Sequence, residues 1–162
     1  MQLLCLHACY VTEIESTDFW KREVDVSDED IVQIFNDAVE FVDHENTVDV
    51  LDSGPNPRGT KRNIYQFDGG EGDVYRCILR AIAADPPRRS LEYSELKRRT
   101  DAECVGRSPD SSSIIRSCGQ MKDLLKDRFP DEHALDWDET KRELHIPDPY
   151  LLFYLRWSNH LD

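Results

Sequence analysis

The stretch from Ser108 to Pro130 constrains this chain more than any other. Ile114, Ile115, Cys118, Met121, Leu124 and Leu125 recur at three- and four-residue spacing, which places them on one stripe of an α-helix. Ser108 or Asp110 can cap its start and Pro130 cannot continue it, so a helix is predicted over about 110–129. Such a stripe needs cover from neighbouring elements. The cover follows at once in the sequence. Leu135-Asp136-Trp137-Asp138 and Glu143-Leu144-His145-Ile146 alternate around the polar Glu139-Thr140-Lys141-Arg142, which is a β-hairpin pattern.

Upstream, Val74, Ile78, Leu79, Ile82 and Ala83 predict an amphipathic helix over about 73–85, stopped by Pro86-Pro87. Leu91-Glu92-Tyr93 reads as a short extended segment. Ser94 reads as the cap of a short helix running through Leu96 to about Arg99, and a polar turn with Gly106 and Pro109 leads into the long helix. After the hairpin, Pro147-Asp148-Pro149 breaks the chain, and Tyr150 to Trp157 closes it as a buried strand or short helix.

The first half is less regular. Met1 to Ile14 reads as a strand, with Leu4, Leu6, Ala8 and Tyr10 on one face and Cys5, His7, Cys9 and Val11 on the other. Ser27, with Asp30 three residues on, marks a helix start, and Ile31, Ile34, Phe35, Ala38, Val39 and Val42 carry that helix to about 43. Thr47 to Leu51 and Asn63 to Phe67 read as short strands around a Pro/Gly loop at 53–60. Asp68-Gly69-Gly70-Glu71-Gly72 reads as a flexible joint. The expected organisation is a small acidic unit over 1–68, a Gly-rich joint at 69–72 and a second domain over 73–162. The fold class is α+β, with a β-α-β-β pattern in the first unit.

Helix, short strand, short helix, turn, long helix and hairpin is an order that resembles the winged helix-turn-helix family, and the resemblance covers about 73–157. The ending Asp148-Pro149-Tyr150-Leu151-Leu152-Phe153-Tyr154-Leu155-Arg156-Trp157 is similar to the ends of winged-helix segments attached to prokaryotic signalling and defence proteins, ATPases among them. No P-loop is present, so no ATPase activity follows from that likeness. The opening strand resembles the start of the archaeal threonyl-tRNA synthetase editing domain, from which the remainder departs. The winged-helix resemblance implies that the third helix enters the major groove while the hairpin touches backbone or minor groove. Ser112, Ser113, Arg116, Gln120 and Asp123 then fall on the outward face. Ser, Arg and Gln can read base edges or bind phosphate, whereas Asp123 and Asp127 repel it. Arg88, Arg89, Lys97, Arg98, Arg99 and Arg107 border the same groove as expected phosphate contacts, with Lys141 and Arg142 at the hairpin tip. Ordinary helix-end charge explains Lys97 to Arg99 equally well.

Charge separates the halves. Residues 1–72 carry five Lys/Arg against 16 Asp/Glu, and residues 73–162 carry 15 against 17, within a total of −13. Twenty Asp against six Lys fits a halophilic source, where strong salt screens carboxylate repulsion. The apolar start lacks a basic n-region and meets Thr12, Glu13 and Glu15 at once, so it reads as a strand rather than a signal peptide, and a cytoplasmic protein with no membrane partner is expected. Five scattered cysteines without a CxxC argue against a disulfide framework or zinc ribbon. Cys5, His7 and Cys9 stand about 7 Å apart per two residues of strand, too far to share one ion, so no metal is expected. Gly69-Gly70-Glu71-Gly72 lacks the strand-to-helix setting and Lys of a phosphate cradle. Asp43, His44 and Glu45 read as polar side chains facing solvent after the helix, and no nucleophile pair or acid/base set has convincing spacing. The expectation is therefore no enzyme and no cofactor. The partner is duplex DNA, as for a transcription regulator, or alternatively another protein, as for an adaptor. The aromatics Trp137, Tyr150, Phe153, Tyr154 and Trp157 read as core filling or as a homodimer contact.

Overall fold

The computed structural model describes residues 27–57, 59 and 61–161, and the chain divides into two compact units, Met1–Asp43 and His44–Asp162. The expected strand at 1–14, with Cys5, His7 and Cys9, lies outside the described residues. Within the first unit, α1 (Asp28–Val39) begins with a reciprocal cap: Asp30 N–H donates to the Ser27 hydroxyl oxygen, and Ser27 N–H donates to the Asp30 carboxylate. The helix stops four residues short of the expected end. Ile34, Ala38 and Val39 are its buried residues.

The second unit is α+β. It holds α2 (Glu45–Ser53), β1 (Tyr65–Phe67), β2 (Gly70–Gly72), α3 (Val74–Ala83), β3 (Ser90–Glu92), α4 (Tyr93–Glu103), β4 (Cys104–Val105), α5 (Ser111–Arg128), β5 (Asp136–Asp138), β6 (Glu143–His145) and α6 (Pro149–Trp157). Two three-stranded antiparallel sheets form among the described residues, in the orders β2-β1-β4 and β3-β6-β5.

Three expectations need correction. Residues 47–51 are helical, not a strand, because Thr47, Val48 and Leu51 are the buried positions and share one helix face. The β-α-β-β pattern therefore fails over the described residues. The Gly-rich segment at 69–72 is the turn and second strand of a hairpin inside the second unit, where Gly69, at φ 91, makes the turn that a side chain would strain. α4 runs to Glu103 rather than Arg99, and Ser94 does not cap it. Instead Tyr93 N–H donates to the Arg142 carbonyl at 2.8 Å, so the hairpin turn closes the start of the helix. Of the two readings offered for 150–157, the short helix is the one formed: α6 is capped by Asp148 through Tyr150 N–H.

The sheet β3-β6-β5 turns one residue per strand inward. Leu91 and Trp137 both stand opposite Leu144, and all three are essentially inaccessible. This row, with Ile114, Met121 and Leu125 of α5 and Ile78, Leu79 and Ile82 of α3, makes up the deepest part of the core. On α5 the buried positions are Ile114, Ser117, Cys118, Met121 and Leu125, while Ile115 and Leu124 are half-buried. Lys122 of α5 fastens the hairpin: its Nζ donates to the Trp137 carbonyl at 3.1 Å and lies 2.8 Å from the Asp136 carboxylate. Trp137 and Tyr154 are buried, so core filling accounts for them, whereas Tyr150 is 63% exposed.

Cys77 of α3 and Cys104 of β4 face each other with sulfurs 3.8 Å apart, both as free thiols. Burial pushes Cys77, Cys104 and Cys118 up, Cys118 to about 12. The thiolate is the reactive form. Iodoacetamide at pH 8, read site by site by mass spectrometry, should therefore leave Cys77 and Cys118 unlabelled in the folded chain and label both after unfolding. Cys104, half-buried, should react at an intermediate rate. Rapid native labelling of Cys118 would contradict this packing.

Candidate nucleic-acid interface

α5 is the element on which the candidate interface depends, and its start is firmly built. Asp110 caps it, accepting from Ser113 N–H at 2.9 Å and from the hydroxyls of Ser112 and Ser113 at 2.6 and 3.0 Å. The Ser112 hydroxyl foremost, then Ser113, holds the Asp110 carboxyl at about 2. With Ile114, Cys118, Met121 and Leu125 inward, Ser112, Arg116 and Asp123 are exposed, and Asp127 extends that face. Gln120 does not stand free on it. Its Oε1 accepts the Tyr75 phenol of α3 at 2.6 Å. The exposed surface of α5 is thus cationic and hydroxylic near its start and mixed toward its end, where Asp123 and Asp127 stand beside exposed Lys126 and Arg128.

Among the cations around it, several expected phosphate contacts are structural. Arg99 is 2% exposed. Its guanidinium donates to the Glu95 carboxylate at 2.7 Å and to the carbonyls of Ala84 and Pro86 at 2.8 Å each. It ties the end of α3 to α4, and its guanidinium is buried against protein acceptors rather than presented on the surface as the phosphate contact expected of it. Arg98 is exposed but forks onto the same Glu95 with two 2.8 Å bonds. Arg98 foremost, then Arg99, holds the Glu95 carboxyl at about 2. Lys97 bonds Asp101, four residues on. Arg89 donates to the carbonyls of Ile146 and Pro147, and so latches β3 to the end of the hairpin.

Arg88, Arg107, Arg116 and Arg142 are exposed, and none has a carboxylate partner within ion-pair distance among the described residues. Lys141 is 70% exposed and 3.9 Å from Asp138. The Asp138 carboxylate faces into the turn, accepting from the N–H of Lys141 and Thr140, which lowers its pKa, the Lys141 bond foremost. Arg142 sits at φ 53, and its carbonyl accepts the Tyr93 N–H. The hairpin tip is a fixed turn that presents two cations.

Sequence reasoning missed a cleft beside α5. Its volume is about 770 Å3, and Lys61, Arg62, Tyr75, Ser113, Arg116 and Gln120 are among its lining residues. Arg62 is anchored, donating to the Asp73 carboxylate at 2.5 Å and to the Ser53 carbonyl at 2.7 Å, with its guanidinium 4.6 Å from the centre of the Tyr75 ring. Lys61-Arg62 directly after the Pro/Gly loop was the available signal, because it is the only adjacent Lys/Arg pair between residues 23 and 87.

His44, expected to face solvent, is largely buried and pairs with Asp148 at 3.0 Å. Among the described residues no group of three His, Cys, Asp or Glu could hold a metal ion, and no helix is long and apolar enough to cross a membrane. No family model, no curated protein and no solved structure matches this chain.

Proposed function

We propose that residues 73–157 form a winged helix-turn-helix and that the chain binds duplex DNA as a regulator. The start of α5 would enter the major groove and the turn 139–142 would contact backbone. The observation that carries this reading is the sheet order β3-β6-β5 joined to the order α3, β3, α4, α5. A strand between the first two helices pairs with the return strand of a hairpin, and that hairpin is fastened to the third helix. Arg107, Arg116, Arg142 and Lys141 supply the phosphate contacts in place of the structurally committed Arg89, Lys97, Arg98 and Arg99. Arg88 is also exposed and uncommitted, ahead of β3.

The test is fluorescence anisotropy of a labelled duplex over a range of salt. Arg116→Ala with Arg142→Ala should weaken binding at every sequence and lower the slope of log affinity against log salt by about 2. Equal affinity and slope in the double variant would remove α5 and the hairpin tip from the interface.

A second reading, docking to another protein, is favoured by one feature. Asp123 and Asp127 are exposed on α5 and oppose phosphate, leaving a mixed-charge surface with Lys126 and Arg128 that suits a protein partner. A pull-down returning one stoichiometric protein and no nucleic acid would support it.

A further inference from the structure

The cleft beside α5 has a charge opposite to that of the chain. Thirteen described residues line it, none is acidic, and three are basic. In a sequence with 33 Asp and Glu among 162 residues, such a stretch of surface is selectively depleted of carboxylate. The acids bordering it are already committed, Asp73 to Arg62 and to Tyr75 N–H, and Asp110 to the first turn of α5. Arg62 is committed too. Lys61 and Arg116 are not: both are exposed, and neither forms an ion pair with a described residue. Beneath them Tyr75 is 3% exposed and its phenol is held by Gln120, so the floor is rigid. Burial pushes that phenol up, so it stays protonated and remains a neutral hydroxyl through the physiological range.

We propose that this cleft binds a phosphate ester, with Lys61 and Arg116 as its two charged contacts. Two cations without a competing carboxylate, on a fixed polar floor, suit a compact multivalent anion. The cleft volume falls in the range of sites for small organic ligands. The inference rests on the DNA-binding reading only through Arg116, which α5 presents to both. A bound phosphate ester would therefore occupy a residue that the duplex also uses. The phosphate can belong to a free nucleotide or to the duplex backbone, and the two sources separate experimentally.

The experiment titrates the full chain with 5′-AMP, with inorganic phosphate and with a short labelled duplex, using wild type, Lys61→Glu and Lys61→Arg. Lys61 is exposed, so equal melting curves are expected for the three. If AMP binds and Lys61→Glu weakens it about tenfold while Lys61→Arg restores it, the cleft is a site for free phosphorylated small molecules. If AMP does not bind but duplex affinity falls about tenfold in Lys61→Glu and recovers in Lys61→Arg, the cleft holds a backbone phosphate. AMP binding that depends on Lys61, with no duplex binding by wild type, keeps the cleft and removes the DNA reading. Indifference of AMP, phosphate and duplex alike to Lys61→Glu overturns the proposal, whatever becomes of Arg116 and Arg142.

Discussion

Arg99→Ala is expected to lower the thermal midpoint of the chain by on the order of 10 °C, corresponding to about 3–5 kcal/mol for one partner removed from a buried charged network. The guanidinium is inaccessible and satisfies three acceptors on two elements: Glu95 in its own helix, and the Ala84 and Pro86 carbonyls just beyond α3. Truncation leaves those carbonyls without their donor and cuts the tie between the end of α3 and α4. Arg98→Ala provides the contrast. It removes an equally short bidentate pair with the same carboxylate, but the Arg98 side chain is 64% exposed. Solvent and salt already screen that pair, so the melting curve should not move. Both variants are followed by circular dichroism. Equal losses in the two, or no loss in Arg99→Ala, would show that burial does not govern these bonds.

The second large effect is expected at Gly54→Ala. Gly54 ends α2 at φ 59, ψ −173, a backbone conformation essentially restricted to glycine. A Cβ there would stand 2.6 Å from two carbons of the Tyr75 ring, which is itself buried. Backbone strain and overpacking each cost about 1–3 kcal/mol, so a total of about 3 kcal/mol or more is expected. Gly106→Ala isolates the strain, because Gly106 lies at φ 83 with open space around its Cβ position. The excess loss in Gly54→Ala measures the clash. Since Tyr75 forms the cleft floor with Gln120 and Arg62, the same substitution should also shift Tyr75 resonances in NMR spectra. Identical melting of the two alanine variants would mean that the ring yields freely.

The sequence made α5 legible almost to the residue, because six apolar side chains at helical spacing lie between a capping Asp110 and Pro130. The hairpin was equally legible, since Trp137 and Leu144 sit at the centres of alternating runs. α2 was not. Thr47, Val48, Asp49, Val50 and Leu51 satisfy strand alternation as well as helical spacing, and long-range packing of Val48 and Leu51 decided between them. α4 was cut short because Arg99 and Thr100, two of its buried residues, are polar, and polarity reads as surface. β2 carries two glycines among its three residues, so it left no pattern at all. At the candidate interface, sequence gave the face of α5 but not the commitments of its neighbours. Which arginine reaches a carbonyl and which reaches solvent depends on chain segments tens of residues away, as Arg89 to Ile146 illustrates.

The Lys122 clasp has a consequence for how any partner is met. With Trp137 sealed into the same core as Met121 and Leu125, and the Lys122 bonds at its rim, the long helix and the ribbon pack as one body rather than as two movable fingers. Little freedom remains to be surrendered when a ligand arrives, so complementarity must already exist in the free molecule. Such a surface selects a partner by width and curvature, and it rejects one that would require a grip of a different span.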